Sequence, residues 1–367
     1  MTMNPAERAR TAMGGGVPDC VPFIPQICPP HAVLALGMDY QSTMLEIVRN
    51  PALANDLVFE CARQYGVDGV RTWIEPAPRD AVKVHGLWYG QDPETGERLG
   101  RIDFEGGGGV LPPEKPTIHT EEDIEAIPVT SADELLASGR LDSAKVVIDK
   151  AGDDYFVMSP PGDHTPQYIT SLRGNQQAML DLMDRPDFCH LTLEKGLQIA
   201  IENATALSRI GIDALYIGDT FGGVVGPRHF REFFVPYSTR FVNEMRARFA
   251  ERCPLIYMHI CGDSTQLFEL MADTGVDCIE PLDPLGGVEV ADAKRRVGQR
   301  VALMGGMHTA KLAHGTLDEV KADIGRCLSE GAPGGGYILA CGDMLPTETS
   351  REKVEAMTEA AHSYIYE

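Results

Sequence analysis

From residue 121 onward the sequence alternates between stretches with helical spacing and short apolar runs, and this alternation restricts the fold more than any other feature. Helix-like TEEDIEAI and ADELLASG lead into DYFVMSP, and a long helical region over 165–210 leads into IDALYIGD. A helix over about 228–250 leads into PLIYMHIC, LFELMADTG into VDCIEPLD, and ADAKRRVG into VALMGGM. LDEVKADIGRCLSEG then leads into GYILACG, and SREKVEAMTEAAHSYI closes the pattern. Strands that alternate with helices form a parallel sheet covered on its outer face. Two earlier runs, CVPFIPQIC and VDGVRTW, bring the count to eight, which predicts an α/β fold of the (β/α)8 TIM barrel type. The expected organisation is a single barrel domain over residues 1–367. An open doubly wound sheet is the alternative, but the first run is not followed by the GxGxxG turn of a dinucleotide site.

One stretch breaks the alternation. Residues 80–113 carry short alternating runs, KVHGLWYG and GERLGRIDF, separated by turn residues and ending near GGGG at 106–109. They read as a β-hairpin excursion inserted near the N-terminal end of the barrel. The glycine run precedes neither Gly-Lys-Ser/Thr nor a helix start, so it reads as a plain loop.

Composition removes several classes of partner. Lys and Arg number 32 against 54 Asp and Glu, a formal charge of −22 with no basic cluster to offset it. Such a surface repels nucleic acid and anionic membrane. No segment reaches the roughly 18 apolar residues that a membrane span needs, and the N-terminus lacks the apolar stretch of a signal peptide, so a cytoplasmic protein is expected. Nine scattered cysteines then read as reduced thiols, most of them in the core, rather than as a disulfide framework.

In such a barrel the chemistry lies where the strands end. The fifth run delivers His259 and Cys261 just before Gly262. Positions i and i+2 of a strand share a face, so an imidazole and a thiol emerge side by side as a chelating pair. The eighth run ends in Cys341 and Gly342 in the same way. If those ends meet, one nitrogen and two sulfurs form a donor set that zinc accepts, with a fourth position left for substrate. Other strand ends supply Trp73, Glu75, Ser159, Asp163, His164, Asp219, Glu280, Asp283, Met304, His308 and Asp343. Asp263 and Asp343 read equally well as N-caps of the helices that follow.

These residues lie in segments that resemble a known family. IGDTFGGVVGPRHFREFFVPY, HICGDST, GVDCIEPLD and GGYILACGDMLPTETSREKVEAM resemble the uroporphyrinogen decarboxylase superfamily. They are closer to its zinc-dependent branch of cobamide-linked methyltransferases, which includes the methylcobalamin:coenzyme M methyltransferases. The likeness runs from VPFIP onward and is clearest after residue 211. It implies a (β/α)8 barrel with zinc on His259, Cys261 and Cys341. Two departures separate the chain from the decarboxylases proper: PFIPQICPPH lacks the arginines that grip the substrate's carboxylates, and Cys341 stands where a histidine is usual. MGGMHTAK also departs from the usual methyltransferase pattern.

The expected function is therefore zinc-dependent transfer of a methyl group between a small methylated substrate, of methyl ether or methylamine type, and a corrinoid (cobalamin) carried on a separate protein or free. A methylcobalamin:thiol methyltransferase and a carboxy-lyase of the decarboxylase type are the alternatives. Asp219, Glu280 and His308 are the expected catalytic groups. Glu280 could also be a displaceable fourth ligand or could orient His259. Trp73, His164, Tyr216, Phe221 and Met304 are expected to line a deep, partly apolar substrate pocket.

Overall fold

A computed structural model describes residues 2–104, 109–220 and 222–366. In chain order its strands are β1 (Gly69–Arg71), an outlying group of β2 (Asp80–Val84), β3 (Leu87–Gln91) and β4 (Arg98–Arg101), then β5 (Phe156–Ser159), β6 (Ala214–Asp219), β7 (Leu255–Ile260), β8 (Cys278–Leu282), β9 (Ala302–Met307) and β10 (Tyr337–Cys341). The seven strands other than β2–β4 form one parallel sheet, in the order β1-β5-β6-β7-β8-β9-β10. Helices separate consecutive strands of this sheet after β5, as the alternation predicts.

The eighth expected strand is not a strand. CVPFIPQIC makes only isolated parallel bridges, Phe23 to Leu339 and Gln26 to Met344. The reason is covalent: Pro22 and Pro25 have no N–H to give to a ladder. The segment still occupies the eighth position. Ile24 N–H donates to Leu339 O and Leu339 N–H to Pro22 O on one side, while Asp68 N–H donates to Phe23 O on the other. The curled sheet thus has the form of a TIM-like barrel with seven regular strands and one irregular stave.

Side chains leave the sheet alternately inward and outward. Phe156, Met158, Ala214, Tyr257, Cys278, Ala302, Met304, Ile338 and Ala340 form the inner cluster, joined by Ala9, Ala12 and Met13. Those three belong to the helix Pro5–Met13, which plugs the end where the strands begin, with small alanines fitting against the barrel floor. Alternating neighbours such as Ile256, Met258, Ile260, Leu303 and Leu339 instead face the helices in the larger outer core. Asp68 ties the floor together, accepting from Phe23 N–H, Arg8 and His362.

The excursion is a three-stranded antiparallel sheet, β2-β3-β4, one strand more than a hairpin. His85 and Gly86 join β2 to β3 with φ of 49° and 84°. Two successive positive φ values are those of a two-residue turn whose twist matches the strands it connects. Of the glycine run, residues 106–108 lie outside the described residues.

Candidate metal centre

β7 and β8 pair with His259 opposite Glu280, both on inward positions. That register alone brings an imidazole beside a carboxylate in the barrel interior. His259 Nδ1 donates to Glu280 Oε2. With Nδ1 holding the proton, the Nε2 lone pair points the other way, toward Cys261 Sγ at 3.0 Å. Asp343 completes the group, its Oδ1 lying 4.0 Å from His259 Nε2 and 3.9 Å from Cys261 Sγ. The three donor atoms all lie within 4.8 Å of one another, a spacing from which a single ion could be held.

The nitrogen, sulfur and oxygen donors suit zinc, and the Glu280–His259 bond is the carboxylate support that metal-bound histidines usually have. Burial disfavours charge on His259, but Glu280 and Cys261 outweigh it and raise the imidazole's pKa, so a metal ion binds Nε2 in competition with a proton. Burial likewise acts on Glu280, and the Arg71 and His259 charges reverse it, so the carboxylate stays below its usual range.

The loops around the pair are held closely. Gly262 has φ +76°, which turns the chain just after Cys261. A Cβ on Gly286, in the loop after β8, would lie 2.4 Å from the Gly262 carbonyl carbon, so only glycine lets the two loops touch. A cavity of about 520 Å³ is lined by Gln26, Cys28, Trp73, Arg79, Val110 and Tyr216, among others. A second hollow of about 670 Å³ shares Cys28 and Met344 with it and reaches Asp343.

Cys341, the third ligand expected from the sequence, is not in the group of donor atoms that the structure brings together. Cys341 is an outward position of β10, packed in the outer core with Leu339 and Tyr337, fully buried, and its thiol is pushed up by burial. Among the described residues it joins no group of metal-ligand spacing; Asp343, two residues on and past the strand end, takes that place. Glu280 holds His259 on one oxygen and Arg71 Nη2 at 2.8 Å on the other.

The remaining expected residues divide. Trp73 and Tyr216 line the 520 Å³ cavity, and the Tyr216 ring lies 6.3 Å from that of His259. Met304 sits deeper, in the inner cluster. His164 turns away from the cavity and stacks on Phe241 at 4.6 Å in the sheet–helix layer, because it follows β5 on the outer side. Asp219 is also outward, and its oxygens accept from the N–H groups of Gln167 and Gly222, which joins two loops rather than facing substrate. His308 caps the helix Thr309–His314 and its backbone N–H donates to Asp323, outside the metal group. Phe221 lies outside the described residues. Sequence reasoning missed Arg71, whose signal was a lone cation at an inward position of the run VDGVRTW.

A family model described as uroporphyrinogen decarboxylase (URO-D) matches residues 101–364. A uroporphyrinogen decarboxylase of Pseudoalteromonas translucida is 30% identical over 180 residues, 49% of this chain and 49% of that protein. The chain thus spans about half the length of the first curated relatives it matches. A namesake from Chromohalobacter salexigens is 24% identical over 326 residues, covering 87% of this chain and 86% of its own. Among solved structures, a methyltransferase from Methanosarcina mazei superposes with a TM-score of 0.73 at 20% identity over 98% of both chains. A B12-independent methionine synthase from Shewanella sp. W3-18-1, in complex with selenomethionine, gives 0.51 at 12% identity, covering 93% and 95%. At these identities the two structural likenesses speak for the fold.

Proposed function

Because this chain belongs to the uroporphyrinogen decarboxylase family, we propose that it is an enzyme of that family working as a zinc-dependent methyltransferase, which moves a methyl group between a small methylated substrate and a corrinoid carried by a separate protein or free. The observation that carries this reading is the His259, Cys261 and Asp343 group with Glu280 behind His259. A decarboxylase acting through carboxylate grips has no evident need of a thiol and an imidazole at this spacing. The segment PFIPQICPPH also carries no arginine for such a grip.

His259, Cys261 and Asp343 would hold the metal, and zinc bound there supplies Lewis acidity toward a thiol acceptor or toward the heteroatom that a methyl group leaves. The chain's own residues do the rest. Glu280 keeps the proton of His259 on Nδ1 and so leaves Nε2 available as a ligand. Arg71 keeps Glu280 ionised. Tyr216 and Trp73 wall the cavity and exclude water from the transfer. The reading favours a methyl ether or methylamine as donor, since the cavity is bordered by Ile102, Gly109 and Val110 of the excursion as well as by the barrel. Metal analysis of the purified protein tests it directly. About one zinc per chain, lost in Cys261→Ala, is expected for a site of this donor set, and zinc-free protein that remains fully active would end the proposal.

A further inference from the structure

We infer that Arg71 is the anchor for a carboxylate of the substrate, so that the methyl-bearing molecule is a small organic acid. The inference rests on the proposed function for the role of the cavity, and it adds the substrate's chemical class. Arg71 comes from β1 into the barrel interior, with a side chain only 3% exposed. Its guanidinium offers five N–H donors. Nη2 donates to Glu280 Oε1, yet Nε and Nη1 have no hydrogen-bond partner. A buried cation with idle donors is costly, which is why such groups are nearly always paired.

The surroundings narrow what the missing partner is. The guanidinium carbon lies 5.0 Å from the Tyr216 ring centroid and 5.7 Å from that of Tyr257, so aromatic faces hold it in place. Tyr216 lines the 520 Å³ cavity, as does Gln26, whose Oε1 is buried and unpartnered. The Tyr257 hydroxyl is buried and unpartnered as well. Three polar side chains from three staves of the barrel thus hold unused hydrogen-bonding atoms in its interior. Glu280 cannot satisfy Arg71 alone, because its other oxygen is committed to His259. An acceptor of negative charge would complete Arg71, with Tyr257 O–H as a further donor, and Gln26 Oε1 would take a hydroxyl or N–H of the same molecule. Arg79 on the cavity wall adds a second cation, while Glu75 there is engaged by the Ser143 N–H. A carboxylate on Arg71 would be linked through Glu280 to His259, which sets the methyl-bearing part of the molecule beside the metal group.

The test compares acids with their amides, which keep the shape and lose the charge. Calorimetric titration of the full chain with 3-methoxybenzoate and 3-methoxybenzamide, and with acetate and acetamide, is done on zinc-loaded and on chelator-treated protein. At least one acid should bind about tenfold or more tightly than its amide, as expected for a buried charge-assisted contact. The preference should persist without zinc, which excludes direct binding of the carboxylate to metal. In Arg71→Met/Glu280→Gln, which removes both charges together, acid and amide should bind alike. Arg71→Lys, which keeps the charge for Glu280, should retain part of the preference. Equal binding of acid and amide by the unaltered protein, no measurable binding of either, a preference that vanishes with zinc, or one that survives the double substitution would each overturn the inference. If the double variant does not fold, the unaltered protein and Arg71→Lys still decide. Zinc content, read in parallel, separates the two proposals: a carboxylate preference in a protein that takes no zinc upholds this inference and removes the metal reading, and zinc without preference does the reverse.

Discussion

Cys261→Ala should abolish stoichiometric zinc binding, and Asp343→Ala should weaken it strongly, because each removes one of the three donor atoms that the group has among the described residues. Glu280→Gln should cost about 10–100-fold in metal affinity, the usual effect of losing the group that orients a ligating histidine. Cys341→Ala should leave zinc content unchanged and cost about 1 kcal/mol of stability as a small core truncation, since that thiol packs in the outer layer. Metal analysis with thermal melts of the four variants checks the set, and loss of zinc in Cys341→Ala with retention in Asp343→Ala would restore the sequence-derived ligand set. The difference shows where alternation stops being informative. His259 and Cys261 were legible because two-residue spacing in one strand fixes a common face. Asp343 was not, because the chain has left β10 at Gly342 and its direction is set by the loop. Arg71 was overlooked for the opposite reason. It lies within a strand, and nothing in VDGVRTW says that its partner, Glu280, is 209 residues away.

Among the elements, the loop after β8 and the turn after β7 act as one unit, and Gly286→Ala should separate them. The added Cβ would meet the Gly262 carbonyl carbon and oxygen at 2.4 and 2.6 Å, both backbone atoms that cannot rotate away. Melting temperature and zinc affinity should therefore fall together in this variant, although residue 286 touches no ligand; unchanged values of both would show that the loops separate freely. The segment after β5 carries a pH effect that is visible only when divided. Burial pushes His164 down to about 3, while burial and the Asp219 charge push its neighbour Asp163 up to about 7. Between the ordinary values of 3.8 and 6.5 the folded chain keeps a proton on Asp163 and none on His164, and the unfolded chain does the reverse. The proton counts cancel, so stability is flat there on account of this pair. Asp163→Asn leaves His164 alone, whose lowered pKa makes stability fall as pH drops through 6.5. His164→Phe leaves Asp163 alone, whose raised pKa makes stability rise as pH drops from 7. Each slope approaches about 1.4 kcal/mol per pH unit at most. Denaturant melts from pH 4.5 to 6.5 read them, and slopes of the same sign in both variants would contradict the pairing. At this scale the helices and the parallel strands were legible from periodicity. The irregular stave was not, because its apolar pattern is that of a strand and only the count of N–H groups, reduced by Pro22 and Pro25, sets it apart.

For the molecule as a whole, the described residues are accounted for by the barrel, its floor helix and the β2–β4 sheet, and no helix among them is long and apolar enough to cross a membrane. On the proposed function a corrinoid meets the mouth of the barrel, and the direction of transfer becomes a question of which partner the mouth is shaped to hold. The excursion contributes Ile102, Gly109 and Val110 to the cavity wall, while its aromatic residues are spent elsewhere: Trp88 packs on Phe104 and Lys83, and Tyr89 on Arg98. A thiol as small as coenzyme M would need little of that wall, whereas an organic methyl donor would fill it. Zinc-loaded enzyme mixed with cob(I)alamin and a panel of methyl ethers and methylamines should therefore convert the cob(I)alamin spectrum to that of methylcobalamin for at least one donor. Val110→Trp should slow this by narrowing the cavity without changing zinc content, because residue 110 is remote in sequence from the ligands and lies on the outer strand bridge to Ile102. Fast demethylation of methylcobalamin by a thiol, with no donor methylating cob(I)alamin, would reverse the direction. Loss of whichever reaction occurs in Cys261→Ser would tie it to the metal group, since an alcohol oxygen is a far poorer zinc donor than a thiolate at neutral pH.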